Sequence, residues 1–490
     1  MTKPSPAQRR VSDLGLWIGV VVATLLVLLP APAALNGSAW LAVAMVALMV
    51  IWWITEAVPI AVTSLIPLVV LPIGGVMSIG EAAVPYSSPT VLLLLGGFII
   101  ATSVERWNLH RRIALSIVVR AGDHPQAIVG GFMLAAALLS MWISNTATTI
   151  MLAPIAVSVA RAIVGPDRVG APLTLALLLG LAYGASIGGI ATPVGTPTNL
   201  IVMAYLDSEL GIEVGFADWL TLGVPVVVLL LPFAWLVVTR WAIRIEAKDG
   251  HGGREVIARE LAALGPMSAP ERRVLITFAL VAALWIFRKP LTGIAVGGAT
   301  PLAGLTDHVI AIAGAIVLFI IPAGRDGERL LNWETAVRIP WGVALLFGGG
   351  LSMAAAITKT GLAGWLGAQL AGIAALPQGL LIVVLVLFVI FATELASNVA
   401  TASALLPVLG ALAIAGGVDP VLLSVPVAMA ASCAFMLPIA TGPNAIAFST
   451  GEVAMPTMAR VGFLLNLIGV VLISTVLITL GPTMVARLVG

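Results

Sequence analysis

Between Ala127 and Ala160 the chain runs without a charged residue, and from Leu380 to Gly417 the only charge is Glu394. At ~1.5 Å per residue each stretch is too long to cross a ~30 Å hydrocarbon core once as a straight helix. Each also carries a hydrogen-bonding tripeptide at its middle, Ser144-Asn145-Thr146 in the first and Ser397-Asn398-Val399 in the second. A chain can reverse inside lipid only where protein or a watery cavity satisfies the backbone of the turn. Both stretches therefore read as re-entrant hairpins with tips near mid-membrane, over 124–165 and 376–417. Composition agrees: 60% of the 490 residues are hydrophobic and 9% are charged, against roughly 25% charged in a soluble protein. Such a chain must turn most of its outer surface to membrane lipid.

Two more charge-poor regions are interrupted by proline and glycine, at Pro193-Val194-Gly195-Thr196-Pro197-Thr198-Asn199 and Pro438-Ile439-Ala440-Thr441-Gly442-Pro443-Asn444. Proline removes an amide donor and clashes with the preceding turn, so 169–206 and 420–451 read as helices broken at mid-depth. Ordinary apolar runs lie near 14–34, 38–54, 57–76, 89–104, 219–239, 274–287, 306–322, 341–358 and 460–485, and the total comes to about eleven spans. The first reads as a retained span rather than a cleaved signal. Lys3, Arg9 and Arg10, then Arg106, Arg111, Arg112 and Arg120, then the central loop from Arg240, Arg244 and Lys248 to Arg273, then Arg325, Arg329 and Arg338 all fall on one side of such an arrangement. Positive charge marks the cytoplasmic face. The expectation is an inner-membrane protein with a cytoplasmic N-terminus and a periplasmic C-terminus. Arg288, Lys289 and Lys359 fall on the wrong side.

The two halves repeat. The tips align as Ser144-Asn145-Thr146-Ala147-Thr148 with Ser397-Asn398-Val399-Ala400-Thr401, followed by Pro154 and Pro407. The breaks align through Pro193 and Pro438, Thr196 and Thr441, Asn199 and Asn444. Upstream, Pro89 with Gly96-Gly97-Phe98 resembles Pro340 with Phe347-Gly348-Gly349-Gly350. The fold expected is an all-α polytopic membrane protein: a tail and first span (1–37), one repeat (38–243), a cytoplasmic linker (244–272) and a second repeat of opposite orientation (273–490). Inverted repeats with discontinuous helices at mid-membrane mark secondary transporters.

Broken helices expose amides that suit an anion and carbonyls that suit a small cation. Asn145 and Asn398 add amides, and Ser144, Thr146, Thr196, Ser397 and Thr441 add hydroxyls; no Arg, Lys or His lies at any break. Bringing an anion into low dielectric against neutral dipoles alone is costly, and bound Na⁺ would offset that cost. Glu394 reads equally as a titrating group or a cap on nearby helix ends. Glu56 reads as a structural residue at a helix N-terminus, and His110, in an interfacial segment from Trp107, reads as solvated. The sole cysteine, Cys433, excludes an internal disulfide. No P-loop, zinc-protease motif or nucleophile elbow is present, nor the charge of a nucleic-acid binder.

These residues resemble a known family. Trp52-Trp53-Ile54-Thr55-Glu56-Ala57-Val58-Pro59-Ile60, the first tip, Thr393-Glu394-Leu395-Ala396-Ser397-Asn398 and the Pro…Asn loops are similar to the divalent anion–sodium symporters. The resemblance implies a homodimer with an elevator-like transport domain, carrying C4 dicarboxylates such as succinate, malate or fumarate. It implies one Na⁺ near Ser140, Ser144, Asn145 and Gly195 and a second near Thr393, Ala396, Asn398 and Ala440. Substrate carboxylates would lie between them, at Asn145, Thr146, Asn398 and Thr441, with Thr196 and Val399 alongside. Val399 replaces the family's usual threonine and Gly442-Pro443 its common Pro-Pro, so a Na⁺-independent dicarboxylate exchanger and a sulfate or citrate carrier stay open.

Overall fold

The computed structural model describes residues 6–165, 168–245, 252–296, 298–324 and 327–489. Lys3, Lys248, His251 and Arg325 lie outside them. The described chain is helical, with two isolated β-bridges in loops. Nine of its helices are long and apolar enough to cross a membrane, and five shorter apolar helices accompany them.

Each long charge-poor stretch is two helices joined by a tight turn: Pro125–Ser140 and Asn145–Val164 in the first hairpin, Gln378–Thr393 and Asn398–Gly416 in the second. The broken helices are Pro172–Gly189 with Pro197–Leu210, and Pro420–Ala431 with Gly442–Ser449. In each case proline opens the second half within its first two positions, where its missing amide costs nothing. The outgoing arm of each hairpin packs on the second half of the other repeat's broken helix. These elements, with Phe216–Leu236 and Met455–Val489, form an inner group. An outer group comprises Gly37–Thr55, Pro89–Arg106, Ala269–Ile286, Asp307–Ile320 and Trp341–Lys359. Glycines seat these outer helices closely: a side chain at Gly96 would strike the Ala311 backbone, and one at Gly349 the backbone of Ser64.

Four polar contacts fasten the segment 209–218 of the inner group to the outer group. Thr358 donates to Glu209 (2.8 Å), Arg288 pairs with Glu213 (3.2 Å), Lys289 with Asp218 (2.9 Å), and the Phe216 amide donates to Asp307 (2.8 Å). Arg288 also pairs with Asp307 at 3.0 Å, and Lys359 with Glu81 at 2.6 Å. The three cations that dissent from the charge asymmetry are thus each matched by a carboxylate.

Three local expectations change. Within the apolar run 57–76 the helix is not continuous: a turn at 64–66 separates Ile60–Thr63 from Pro67–Ile73, and Pro67 opens the second piece. Glu56 sits at the C-terminal end of Gly37–Thr55 with φ 47°, its amide donating to the Trp52 carbonyl. His110 is buried, 8% exposed, with Nδ1 3.2 Å from the Val104 carbonyl oxygen. The central loop also contains a helix, Gly253–Ala263, tied down by an Arg111–Glu260 pair.

Candidate functional site

At each hairpin tip a hydroxyl at the end of the incoming arm donates to the asparagine that opens the outgoing one. Ser140 Oγ donates to Asn145 Oδ1, and Thr393 Oγ1 to Asn398 Oδ1 at 2.8 Å. Thr393 Oγ1 also lies 3.1 Å from the Ala431 carbonyl, at the end of the half-helix beside it. Both hydroxyls are fully buried. With their oxygens engaged in this way, the Asn145 and Asn398 Nδ2 groups donate to no acceptor among the described residues, and both side chains line one cavity.

Asparagine also holds the breaks open. Asn199 Nδ2 donates to the Gly189 and Thr192 carbonyls at 3.0 and 2.7 Å, and Asn444 Nδ2 to those of Ala434 and Leu437 at 3.0 and 3.1 Å. Each satisfies carbonyls that the interrupted helix leaves without partners. The second break has a further tie. Glu394 accepts from the amides of Phe435, Met436 and Leu437 at 2.7–3.0 Å and from Asn466 Nδ2 at 2.8 Å. Four donors converge on this carboxylate, the arrangement of a cap. At the equivalent place in the first repeat stands Met141, whose backbone carbonyl accepts from Thr192 Oγ1. The breaks touch through Thr198 and Ser432, hydroxyl to hydroxyl at 3.0 Å.

All four interruptions meet around a cavity of about 330 Å³. Ser144, Asn145 and Thr146 line it from one tip and Ser397, Asn398 and Val399 from the other; Gly195 and Thr196 face it from the first break, Ala440 and Thr441 from the second. Ser140 and Thr393 lie behind the asparagines, and Ala396 is half-buried at its tip; none of the three lines the cavity. Ser140, Asn145 and Gly195 are close neighbours: a side chain at Gly195 would come within 3.0 Å of the Ser140 carbonyl oxygen, and one at Gly189 within 2.7 Å of Asn145 Oδ1.

The outer group closes the cavity with Leu94, Gly97, Phe98, Pro340 and Val343. These wall residues were not among the expected site residues, although the Gly-Gly-Phe repeat had marked their helices. Trp142, also in the wall, stacks on Phe216 at 5.9 Å between centroids and meets Phe278 edge-on at 5.2 Å. No Lys, Arg or His is among the lining residues. Among the described residues no group of three His, Cys, Asp or Glu is placed to hold a metal, so a cation at this cavity would meet neutral oxygens.

Two related halves whose four helix interruptions converge on one cavity define a secondary transporter. The chain belongs to the family described as the sodium:sulfate symporter transmembrane region, whose family model matches residues 11–486. It is 40% identical over 478 residues to the sodium-dependent dicarboxylate transporter SdcS of Staphylococcus saprophyticus, covering 96% of this chain and 91% of that one. The SdcS of Staphylococcus aureus is likewise 40% identical, over 88% of this chain and 84% of its own. In structure the chain resembles the Alcanivorax borkumensis YdaH transporter (TM-score 0.56, 14% identity, 96% of both chains). It also resembles Neisseria gonorrhoeae MtrF (TM-score 0.60, 12% identity, 96% and 97% covered). At these identities the structural likenesses speak to the fold alone. The relatives are transporters, not enzymes, and sodium dependence runs through the family's description and the SdcS names.

Proposed function

We propose that the protein is a Na⁺-coupled symporter of C4 dicarboxylates such as succinate, malate and fumarate, working as a homodimer in the inner membrane by an elevator movement of the inner group. The observation that carries this reading is the pair of tip asparagines. Each presents its amide to the cavity while its oxygen is held by the hydroxyl behind it. Two such donors from opposite repeats suit an anion with a carboxylate at each end. With no basic residue lining the cavity, the charge of a dianion must be offset by cations that travel with it. Ser140, Ser144, Asn145 and Gly195 would hold one Na⁺, and Thr393, Ala396, Asn398 and Ala440 a second. The anion would lie between them against Thr146, Val399, Thr196 and Thr441. The SdcS relatives support this choice of cargo.

The test is uptake of labelled succinate into proteoliposomes. An inward Na⁺ gradient should drive accumulation with no dicarboxylate inside. Uptake that requires internal dicarboxylate and ignores Na⁺ would overturn symport in favour of exchange.

A further inference from the structure

Gly442 opens the second half of the second broken helix, which packs against the outgoing arm of the first hairpin. Its backbone lies outside the left-handed region, so conformation alone does not call for glycine. Space does. A Cβ at this position would overlap Thr146 Oγ1 and lie 3.0 Å from Thr146 Cγ2 and 3.1 Å from its Cβ. Both residues line the cavity. By the repeat alignment, Gly442 corresponds to Pro197 and Thr146 to Val399, and these also line it. The two junctions between a tip and the other repeat's broken helix therefore differ. One brings a hydroxyl against glycine; at the equivalent positions the other has an apolar side chain and proline.

We propose that Gly442 is a specificity-determining residue: it makes room for Thr146 against the start of the half-helix and thereby sets how long a dianion the cavity admits at that pole. This rests on the dicarboxylate reading above. With glycine, the Thr146 hydroxyl sits against the Gly442 backbone and leaves the pole open. A methyl group there displaces Thr146 and shortens the cavity. The cost rises with chain length, because a longer dianion reaches further into the pole. A change of one methylene's size in a fitted pocket shifts discrimination by about 10–200-fold.

The experiment measures binding of malonate, succinate and glutarate to the purified full chain in saturating Na⁺, for wild type, Gly442→Ala, Thr146→Ala and the double variant. Gly442→Ala should lower the glutarate-to-malonate affinity ratio by about tenfold or more. Adding Thr146→Ala, which removes the displaced hydroxyl, should recover most of that loss. An unchanged ratio in Gly442→Ala, or effects of the two substitutions that simply add, would overturn the proposal. If Gly442→Ala does not fold, recovery of folded protein in the double variant supports the pairing and failure to recover overturns it. If wild type binds none of the three anions, the cargo reading fails instead. The pairing is then judged by thermal melts, where the loss caused by Gly442→Ala must be relieved by Thr146→Ala.

Discussion

Asn145 and Asn398 sit at equivalent points of the two repeats, each braced through its side-chain oxygen. A braced amide is orientated before any ligand arrives, so its loss removes a donor that water in a narrow cavity replaces poorly. Asn145→Ala and Asn398→Ala are each expected to abolish uptake while the purified protein keeps its wild-type elution volume and helical content. Wild-type uptake by either variant would contradict the site. Val399 is where the two cavity-lining tip tripeptides differ, apolar where Thr146 carries a hydroxyl. Val399→Thr should tighten dicarboxylate binding by about 0.5–1.5 kcal/mol, the net worth of one hydrogen bond, as measured by calorimetry. Unchanged relative affinities across a panel of anions would show that this side chain does not face the cargo.

The broken helices persist because their loose ends are tied by side chains. Glu394 alone gathers three backbone amides and Asn466. Removing it leaves buried donors unpaired at roughly 1–3 kcal/mol each, so Glu394→Ala should lower stability by about 3 kcal/mol or more. Glu394→Gln, which keeps one acceptor oxygen, should lose less. Comparative melts decide between this capping role and a passive one, which would leave both variants near wild type. Tips and breaks were legible in the sequence because Pro, Gly and Asn recur there at matching spacing, and each acts on the backbone nearby. The role of Glu394 was not, since its partners lie 41–72 residues away. The burial of His110 and the cavity wall from Phe98 and Val343 were hidden for the same reason: both depend on how distant helices pack. The turn within the run 57–76 was hidden by hydropathy, which counts apolar residues without registering that Pro67 opens a new helix there.

For the molecule as a whole, the contacts joining 209–218 to Arg288, Lys289, Asp307 and Thr358 lie between the groups that an elevator would move past each other. Asp218→Cys with Lys289→Cys, bridged by a short thiol cross-linker, should arrest transport and leave succinate binding intact. The native Cys433 is buried and should not compete for the reagent. Undiminished transport in the bridged protein would argue against relative movement at this seam. Cargo and cation are joined more tightly still, since a dianion in a cavity lined without a basic residue depends on bound Na⁺ for its charge balance. By reciprocity, each ligand must raise the other's affinity by the same factor. The most direct measurement is a calorimetric titration of succinate at zero and at saturating Na⁺, with choline holding ionic strength constant. Na⁺ should strengthen succinate binding by about 5–150-fold, the ~1–3 kcal/mol usual for linked sites. The same succinate affinity with and without Na⁺ would contradict Na⁺-coupled symport.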